Sequence, residues 1–342
     1  MKHATLTLTI ALLLTTPTHA HPKPQAPTGI THTPLETLAT GFRFTEGPAL
    51  ASDGSIYFSD IPNNRIHRYD PATNQTTVAL EDSGGANGLM IRGNQLFACR
   101  GRAKAVSAYT IKPQGKLNPQ PTSQTEGFVT FVTFSNSGTT YRSAPFNGPN
   151  DLALDTHGGL YFTDPAYGNK VDPTVRIEGV HYWRFRPEAN ALPTPNRLIT
   201  TLKRPNGIAL SPDGHTLYVA DNHAATIHAY PFLEPGKLGP GKLFLDLAPL
   251  GKRFATPDHK RTGGNPDGMA LDPQGNLYIT LFSQGVLVVT PSAQVLGFID
   301  SGFQTTNCTF AADGKTLYIT ANKSLLRTKV TLTTTPATQP AD

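Results

Sequence analysis

The chain contains 342 residues with a formal net charge of +5, and only 15% of its residues are charged. Gly and Pro are frequent, at 31 and 30 residues, while the hydrophobic content of 38% is enough to form a substantial core. This composition argues against helical bundles, coiled coils and disorder, and favours many short strands joined by turns. The mild positive charge, without a run of Lys or Arg, does not indicate nucleic-acid binding.

The first 20 residues have the pattern of a secretory signal peptide. Lys2 and His3 precede the apolar run Leu6–Leu14, and Thr18 and Ala20 fit the −3 and −1 positions of a cleavage site after Ala20. Because this run is too short to cross a bilayer, we expect an exported protein without a membrane span, in the periplasm or outside the cell. Residues 21–33 are predicted to form an N-terminal linker, and residues 333–342, rich in Thr, Pro and Ala, a disordered tail.

Residues 34–332 repeat one strand pattern six times. In each repeat a strand runs into a tight turn, such as Asp53-Gly54, and a second strand with a central aromatic residue follows. These aromatics lie 40 to 64 residues apart: Tyr57, Phe97, Tyr161, Tyr218, Tyr278 and Tyr318. Such a period is typical of four-stranded propeller blades with loop insertions, whereas a two-sheet sandwich does not explain the sixfold repeat. We therefore predict an all-β, six-bladed propeller, with Leu35 to Thr40 completing the last blade.

One polar residue opens the first strand of each repeat, 10 to 12 residues before the aromatic. Equivalent positions on the innermost strands of a propeller converge on the central channel, so we expect one ring of six side chains: Glu46, Asn87, Asn150, Asn206, Asp267 and Asn307. An all-oxygen ring with two carboxylates favours a hard divalent cation such as Ca²⁺, Mg²⁺ or Mn²⁺. Asn and Asp before Gly are also common in turns, but turns alone do not require one spacing in six repeats.

Four segments of this ring resemble the gluconolactonase/regucalcin superfamily, and most of all its secreted bacterial members: Thr45-Glu46-Gly47-Pro48, Gly148-Pro149-Asn150-Asp151-Leu152, Arg204-Pro205-Asn206-Gly207 and Asn265-Pro266-Asp267-Gly268. The resemblance extends over roughly Leu35 to Val330. It implies a six-bladed propeller with one divalent cation in the channel, Ca²⁺ in most bacterial members, with Mg²⁺, Mn²⁺ or Zn²⁺ as alternatives. The implied ligands are Glu46, Asn150, Asn206 and Asp267. Asn150 would bind the cation directly or through water, and Asp151 could share its role.

The resemblance also implies hydrolysis of a small-molecule lactone or ester, with a sugar-type lactone as the leading substrate. The cation would polarise the carbonyl group, and Asp267 would act as general base on water, with a nucleophile as the alternative role. Asn87 and Asn150 would orient substrate or water, and Tyr167 would form a wall of the pocket. Gly148 departs from the animal sugar-lactonase pattern, which has a sugar-contacting arginine there, so gluconolactone itself is not the expected substrate.

Two other functions remain open. One is an arylesterase or phosphotriesterase that uses the same cation, and the other is a non-catalytic exported propeller in which calcium is structural. The insertion Gly251–Pro266, rich in basic residues, is either an ordinary solvated loop or a lid that attracts polyhydroxy or acidic substrates. Cys99 and Cys308 are expected to pack as small apolar groups, and a monomer or dimer is expected.

Overall fold

The computed structural model describes residues 28–125, 128–135, 138–167, 178–184, 195–251, 264–282 and 285–334. The predicted signal peptide, the end of the predicted tail and most of the basic insertion lie outside these ranges, so export stays a prediction. The described chain opens with two strands, β1 (Gly29–His32) and β2 (Glu36–Thr40). Within the described ranges, neither of the two short helices is long and apolar enough to cross a membrane.

The first three blades follow in chain order. Blade 1 consists of β3 (Thr45–Leu50), β4 (Ile56–Asp60), β5 (Arg65–Asp70) and β6 (Gln75–Leu80). Blade 2 consists of β7 (Ala86–Arg92), β8 (Gln95–Arg100), β9 (Ala105–Thr110) and β10 (Ser123–Gln124), with a 3₁₀ turn at Pro113–Gly115. A separate hairpin of β11 (Phe128–Ser135) and β12 (Gly138–Pro145) precedes blade 3, which consists of β13 (Leu152–Leu154), β14 (Gly159–Asp164), β15 (Gly179–Arg184) and β16 (Asn196–Ile199).

Blades 4 to 6 complete the ring. Blade 4 consists of β17 (Pro205–Leu210), β18 (Thr216–Asp221), β19 (Thr226–Glu234), β20 (Lys237–Leu238) and β21 (Lys242–Asp246), and is followed by the one-turn helix α1 (Ala248–Gly251). Blade 5 consists of β22 (Pro266–Leu271), β23 (Leu277–Leu281), β24 (Gly285–Val289) and β25 (Val295–Asp300). Blade 6 consists of β26 (Thr305–Phe310), β27 (Thr316–Ala321) and β28 (Ser324–Thr333), with β2 as its fourth strand. The prediction of an all-β, six-bladed propeller is confirmed.

Strands from both ends of the chain close the ring. β2 pairs antiparallel with β28, with Glu36 opposite Arg327, as predicted for Leu35 to Thr40. β1 also pairs with β28, with Gly29 opposite Thr333, although these residues lie in the predicted linker and tail. The physical reason is the length of β28, ten residues, which leaves backbone groups beyond β2 for a further strand to pair.

The core consists of apolar clusters between neighbouring blades. In the described residues each of the six blade pairs has its own cluster, including the pair formed by blades 6 and 1. The six predicted aromatics are all buried, from 0% exposed for Tyr57 to 5% for Tyr218. Cys99 and Cys308 are free thiols buried in different clusters, which confirms that they pack as small apolar groups.

His181 on β15 is a buried imidazole within the core. It stacks on Phe162 at 5.1 Å between ring centroids and meets the edge of Phe146 at 5.3 Å. Within the described residues neither ring nitrogen has a hydrogen-bond partner. Burial lowers the pKa of His181 to about 3, so the unfolded chain binds a proton at pH 5 that the folded chain does not.

We therefore expect the free energy of unfolding to fall as the pH drops below about 6.5, by about 2 kcal/mol at pH 5 through this residue. His181→Leu should remove this part of the acid sensitivity, whereas His157→Leu at an exposed position should not. Urea unfolding at pH 5 and pH 7.5 measures the difference. Equal pH slopes in the wild-type protein and His181→Leu would contradict the prediction.

Candidate functional site

Five of the six predicted ring residues line one pocket at an end of the central channel. The pocket has a volume of about 400 Å³, and its lining includes Glu46, Asn87, Asn150, Asn206 and Asp267. Each side chain comes from the beginning of the innermost strand of its blade, or from just before it in blade 3. The structure thus brings together all four predicted metal ligands with both predicted substrate-orienting amides. Their roles remain predictions.

A break in the strand pairing aims these side chains at the channel. The pairing between the first and second strands shifts register next to the ring residue, as between Glu46 and Ala49 in blade 1 and between Pro205 and Ile208 in blade 4. The same shift occurs in blades 2, 5 and 6. Such bulges turn a side chain out of the regular alternation and are frequent beside functional sites. The repeated polar residue is therefore a feature of the channel and not of the hairpin turns.

In blades 1 and 4 the glycine after the ring residue is required by the close approach of the inner strands. A Cβ atom on Gly207 would lie 2.1 Å from the carbonyl oxygen of Asp267 in the next blade. A Cβ atom on Gly47 would lie 2.2 Å from the carbonyl oxygen of Asn87, and Gly47 has a φ of +51°. Because backbone atoms cannot yield as flexible side chains do, larger residues at these positions would widen the ring.

We expect Gly47→Ala to lower the free energy of unfolding by about 2 kcal/mol more than Gly54→Ala, because overpacking adds to the cost of a left-handed backbone. Gly54 is a matched control, since its φ is +85° and no atom lies within 4 Å of an added Cβ. Urea denaturation of the two variants gives the comparison. Equal losses would show that the inner strands can move apart without cost.

Asn307 does not line this pocket, in contrast to the prediction for the ring. Its Nδ2 atom donates to Oδ2 of Asp151 at 3.2 Å, and both residues line a second cavity of about 440 Å³. That cavity is otherwise mostly apolar, with inward residues of the inner strands such as Leu152 and Met269. In blade 6 the register shift lies before Asn307, which pairs with Thr320, whereas in blades 2, 4 and 5 the ring residue lies within the shifted segment. Equal spacing in sequence did not specify depth along the channel.

Burial, and for two of them neighbouring negative charge, raises the pKa values of the acidic groups around the channel. Burial, followed by the charges of Asp267 and Asp151, raises the pKa of Glu46 well above its usual range. Burial and then Asp151 raise the pKa of Asp267 to about 8, and burial raises that of Asp151 to about 7. In the part of the chain that the structure describes, neither Glu46 nor Asp267 forms an ion pair with Lys or Arg. A divalent cation would stabilise their charged forms.

The donor atoms of the pocket fit such a cation. Oε2 of Glu46 accepts a hydrogen bond from the Gly47 amide at 2.7 Å. Nδ2 of Asn206 donates to the Tyr167 hydroxyl at 2.7 Å, which leaves the amide oxygen of Asn206 available as a ligand. No group of three or more His, Cys, Asp or Glu side chains within the described ranges could hold a metal ion. A cation here would therefore depend on amide oxygens together with the two carboxylates, a donor set typical of Ca²⁺.

Tyr167 lies at the mouth of the pocket, as predicted, with 47% of its surface exposed. The Arg204 guanidinium lies 6.0 Å from the centre of its ring, and the Asn206 amide holds its hydroxyl group. Burial of this hydroxyl raises its pKa. Tyr167 therefore connects the pocket wall to a predicted metal ligand. Gly168 and the basic segment 252–263 lie outside the described residues.

Four lining residues were missed by the sequence-based prediction: Phe44, Asn222, Asn265 and Phe282. The rings of Phe44 and Phe282 are 6.4 Å apart and form an aromatic pair at the pocket. Asn222 donates from Nδ2 to the carbonyl oxygen of Pro266 at 3.0 Å, beside Asp267. These residues come from the loops between strands, which do not repeat from blade to blade. Phe44 and Asn265 each stand two residues before a ring residue, Glu46 and Asp267, and only this shared place hinted at their role.

Comparisons with known proteins agree with this architecture. The gluconolactonase of Zymomonas mobilis is 29% identical over 308 residues, which cover 87% of this chain and 81% of that protein. The solved structure of a gluconolactonase from Xanthomonas campestris superposes with a TM-score of 0.66 at 24% identity, covering 90% of this chain and 95% of that one. Regucalcin from Agrobacterium tumefaciens, a calcium-binding protein, has a TM-score of 0.62 at 18% identity, covering 85% and 92%.

The two structural matches, at these identities, show the fold alone. The family described as the SMP-30/gluconolactonase/LRE-like region matches residues 44–323, from the residue before Thr45 on β3 to the turn after β27. This match covers most of the chain and contains every ring residue. The resemblance stated from the sequence segments is thereby confirmed, and the chain belongs to the SMP-30/gluconolactonase/LRE-like family.

Proposed function

We propose that this protein hydrolyses a lactone of the sugar type, with one divalent cation, best matched by Ca²⁺, held by Glu46, Asn150, Asn206 and Asp267. The observation that carries the proposal is the convergence of two buried carboxylates and several amides in one pocket. The gluconolactonase relative from Zymomonas mobilis supports the reaction class. When bound, the cation would polarise the lactone carbonyl and stabilise the negative charge that develops on its oxygen.

Asp267 supplies the general base in this proposal. Its carboxylate removes a proton from a water molecule, the water oxygen attacks the carbonyl carbon, and the bond to the ring oxygen then breaks. The proton returns to the ring oxygen, which becomes the hydroxyl group of the hydroxy acid. Asn87 and Asn150 line the same pocket and orient the water and the substrate. The buried position of Asp267, with 6% exposed surface, favours proton uptake.

The walls of the pocket suit a neutral, hydroxyl-bearing ring. Phe44, Phe282 and Tyr167 offer aromatic faces to its C–H groups, and the amides of Asn222 and Asn265 lie beside them to meet hydroxyl groups. No Lys or Arg occurs among the described lining residues. The described side chains of the pocket therefore supply hydrogen bonds and stacking, and no cationic side chain for an anionic substrate.

The test is hydrolysis of a panel that contains sugar lactones, simple aliphatic lactones, an aryl ester and a phosphotriester, with Ca²⁺ and with chelator. We expect the highest kcat/KM for a sugar-type lactone, and its loss on chelation. Preference for the aryl ester or the phosphotriester would replace the proposed substrate class. A protein that loses thermal stability on chelation but hydrolyses no member of the panel would be a calcium-stabilised binding propeller.

A further inference from the structure

A buried aspartate ends the second strand in three of the six blades. Asp60 ends β4, Asp164 ends β14 and Asp221 ends β18. Their exposed fractions are only 1%, 0% and 5%. These are blades 1, 3 and 4, which supply Glu46, Asn150 and Asn206 to the pocket. At the equivalent strand ends the other blades have no carboxylate, but Arg100, Leu281 and Ala321.

Each aspartate binds the segment that leads the chain into the pocket. The carboxylate accepts hydrogen bonds from backbone N–H groups two or three residues before the ring residue of the same blade. These bonds run from Arg43 and Phe44 to Asp60 (3.2 Å each), from Asn147 and Gly148 to Asp164 (2.9 and 2.7 Å) and from Lys203 to Asp221 (3.0 Å). The same geometry at the same offset in three blades indicates a common role.

The remaining blades show that propeller closure does not need this carboxylate. In blade 2, Arg100 donates from Nε to the carbonyl oxygen of Ser83 at 2.9 Å. In blade 5, the Phe282 amide donates to the Asn265 carbonyl oxygen, and Asn222 of blade 4 donates to Pro266. The aspartate is therefore not a requirement of the blade architecture, and the pocket residues Asn87 and Asp267 enter the pocket without it.

We propose that Asp60, Asp164 and Asp221 are positioning residues that fix where Glu46, Asn150 and Asn206 enter the pocket. Hydrogen bonds from backbone amides to an ionised carboxylate are stronger than those between neutral groups, so they restrict the three preceding residues and the direction of the ring side chain. The part of this inference that concerns ion binding rests on the proposed function. Groups that orient metal ligands typically change metal affinity about 10- to 100-fold when they are removed.

The test compares Asp164→Asn with Asp272→Asn by calorimetric titration with Ca²⁺. Asp272 is a matched control because it is 2% exposed and accepts hydrogen bonds from the Gln274 and Asn276 amides, but at the turn after β22, away from the pocket. We expect Asp164→Asn to raise the Kd for Ca²⁺ about 10- to 100-fold and Asp272→Asn to leave it unchanged. Thermal unfolding of both variants without Ca²⁺ records any general loss of stability.

Amide hydrogen exchange separates this inference from the proposed function. If the wild-type protein binds no divalent cation, the proposed function fails, and exchange at Asn147 and Gly148 decides the positioning role on its own. Faster exchange there in Asp164→Asn, with exchange in Asp272→Asn changed only at its own turn, supports the inference. Unchanged exchange at Gly148, or equal changes of Kd in the two variants, overturns it.

Discussion

Asp267→Asn should lower kcat for lactone hydrolysis by about 10²- to 10⁴-fold, the range expected when a general base is lost. The amide has nearly the same shape as the carboxylate but cannot take the proton of the attacking water. The change also removes one of the two negative charges around the cation, so the apparent affinity for Ca²⁺ should fall as well. The measurement is initial rate by proton release at constant pH, over a range of Ca²⁺ concentrations.

Asp272→Asn is again the control for this experiment, since it makes the same replacement in the same blade at the other end of β22. It should keep the wild-type kcat. The proposed role of Asp267 fails if its asparagine variant, titrated to saturation with Ca²⁺, retains activity within about tenfold of the wild-type protein, because the lower limit for a general base is about 10²-fold.

Glu46→Gln should be at least as stable as the wild-type protein without Ca²⁺ and less stable than the wild-type protein with Ca²⁺. Without the cation, burial and the neighbouring charges of Asp267 and Asp151 disfavour the Glu46 carboxylate, so the neutral variant should be at least as stable as the wild-type protein. With Ca²⁺ at about 100 times its Kd, the wild-type protein should gain about 2.7 kcal/mol of unfolding free energy by ligand linkage. Glu46→Gln should gain little.

Chemical denaturation at pH 8, with Ca²⁺ and with chelator, measures both parts of this prediction. Glu81→Gln provides the control, because the side chain of Glu81 is 59% exposed and pairs with Arg65 at the surface. A variant that is less stable than the wild-type protein under both conditions would indicate that Glu46 serves packing alone. If the wild-type protein is the more stable of the two with Ca²⁺ but not with chelator, a cation binds beside this carboxylate.

The sequence predicted those parts of the site that repeat. Glu46, Asn206 and Asp267 could be aligned because each stands at nearly the same distance before a buried aromatic residue. In a propeller, such equivalent positions on the inner strands meet at the central channel. The closing strand was predictable because the last repeat lacks a fourth strand of its own. Both predictions depend on strand pairing and hydrophobic burial, which produce a repeating pattern of residues in a sequence.

The parts that do not repeat could not be predicted in this way. Asn307 has the spacing of the ring but lies outside the pocket, because the register shift in blade 6 comes before it and leaves it paired with Thr320. Phe282 and Asn222 lie in loops whose sequences differ between blades. Asp60, Asp164 and Asp221 did leave a signal, since each follows its ring residue by 14 or 15 positions, but three occurrences among six blades are recognisable only once the contacts are known.

The pairing of β2 with β28 has a consequence for the order in which the protein folds. The ion pair between Glu36 and Arg327 joins residues 291 positions apart. Blade 6 therefore cannot assemble until nearly all of the chain has been synthesised. Joining such distant segments carries a large loop-closure entropy, so we expect this pairing to form late in folding. The last blade therefore stays open until the end of the chain is available, and the pairing of β2 with β28 then closes the ring.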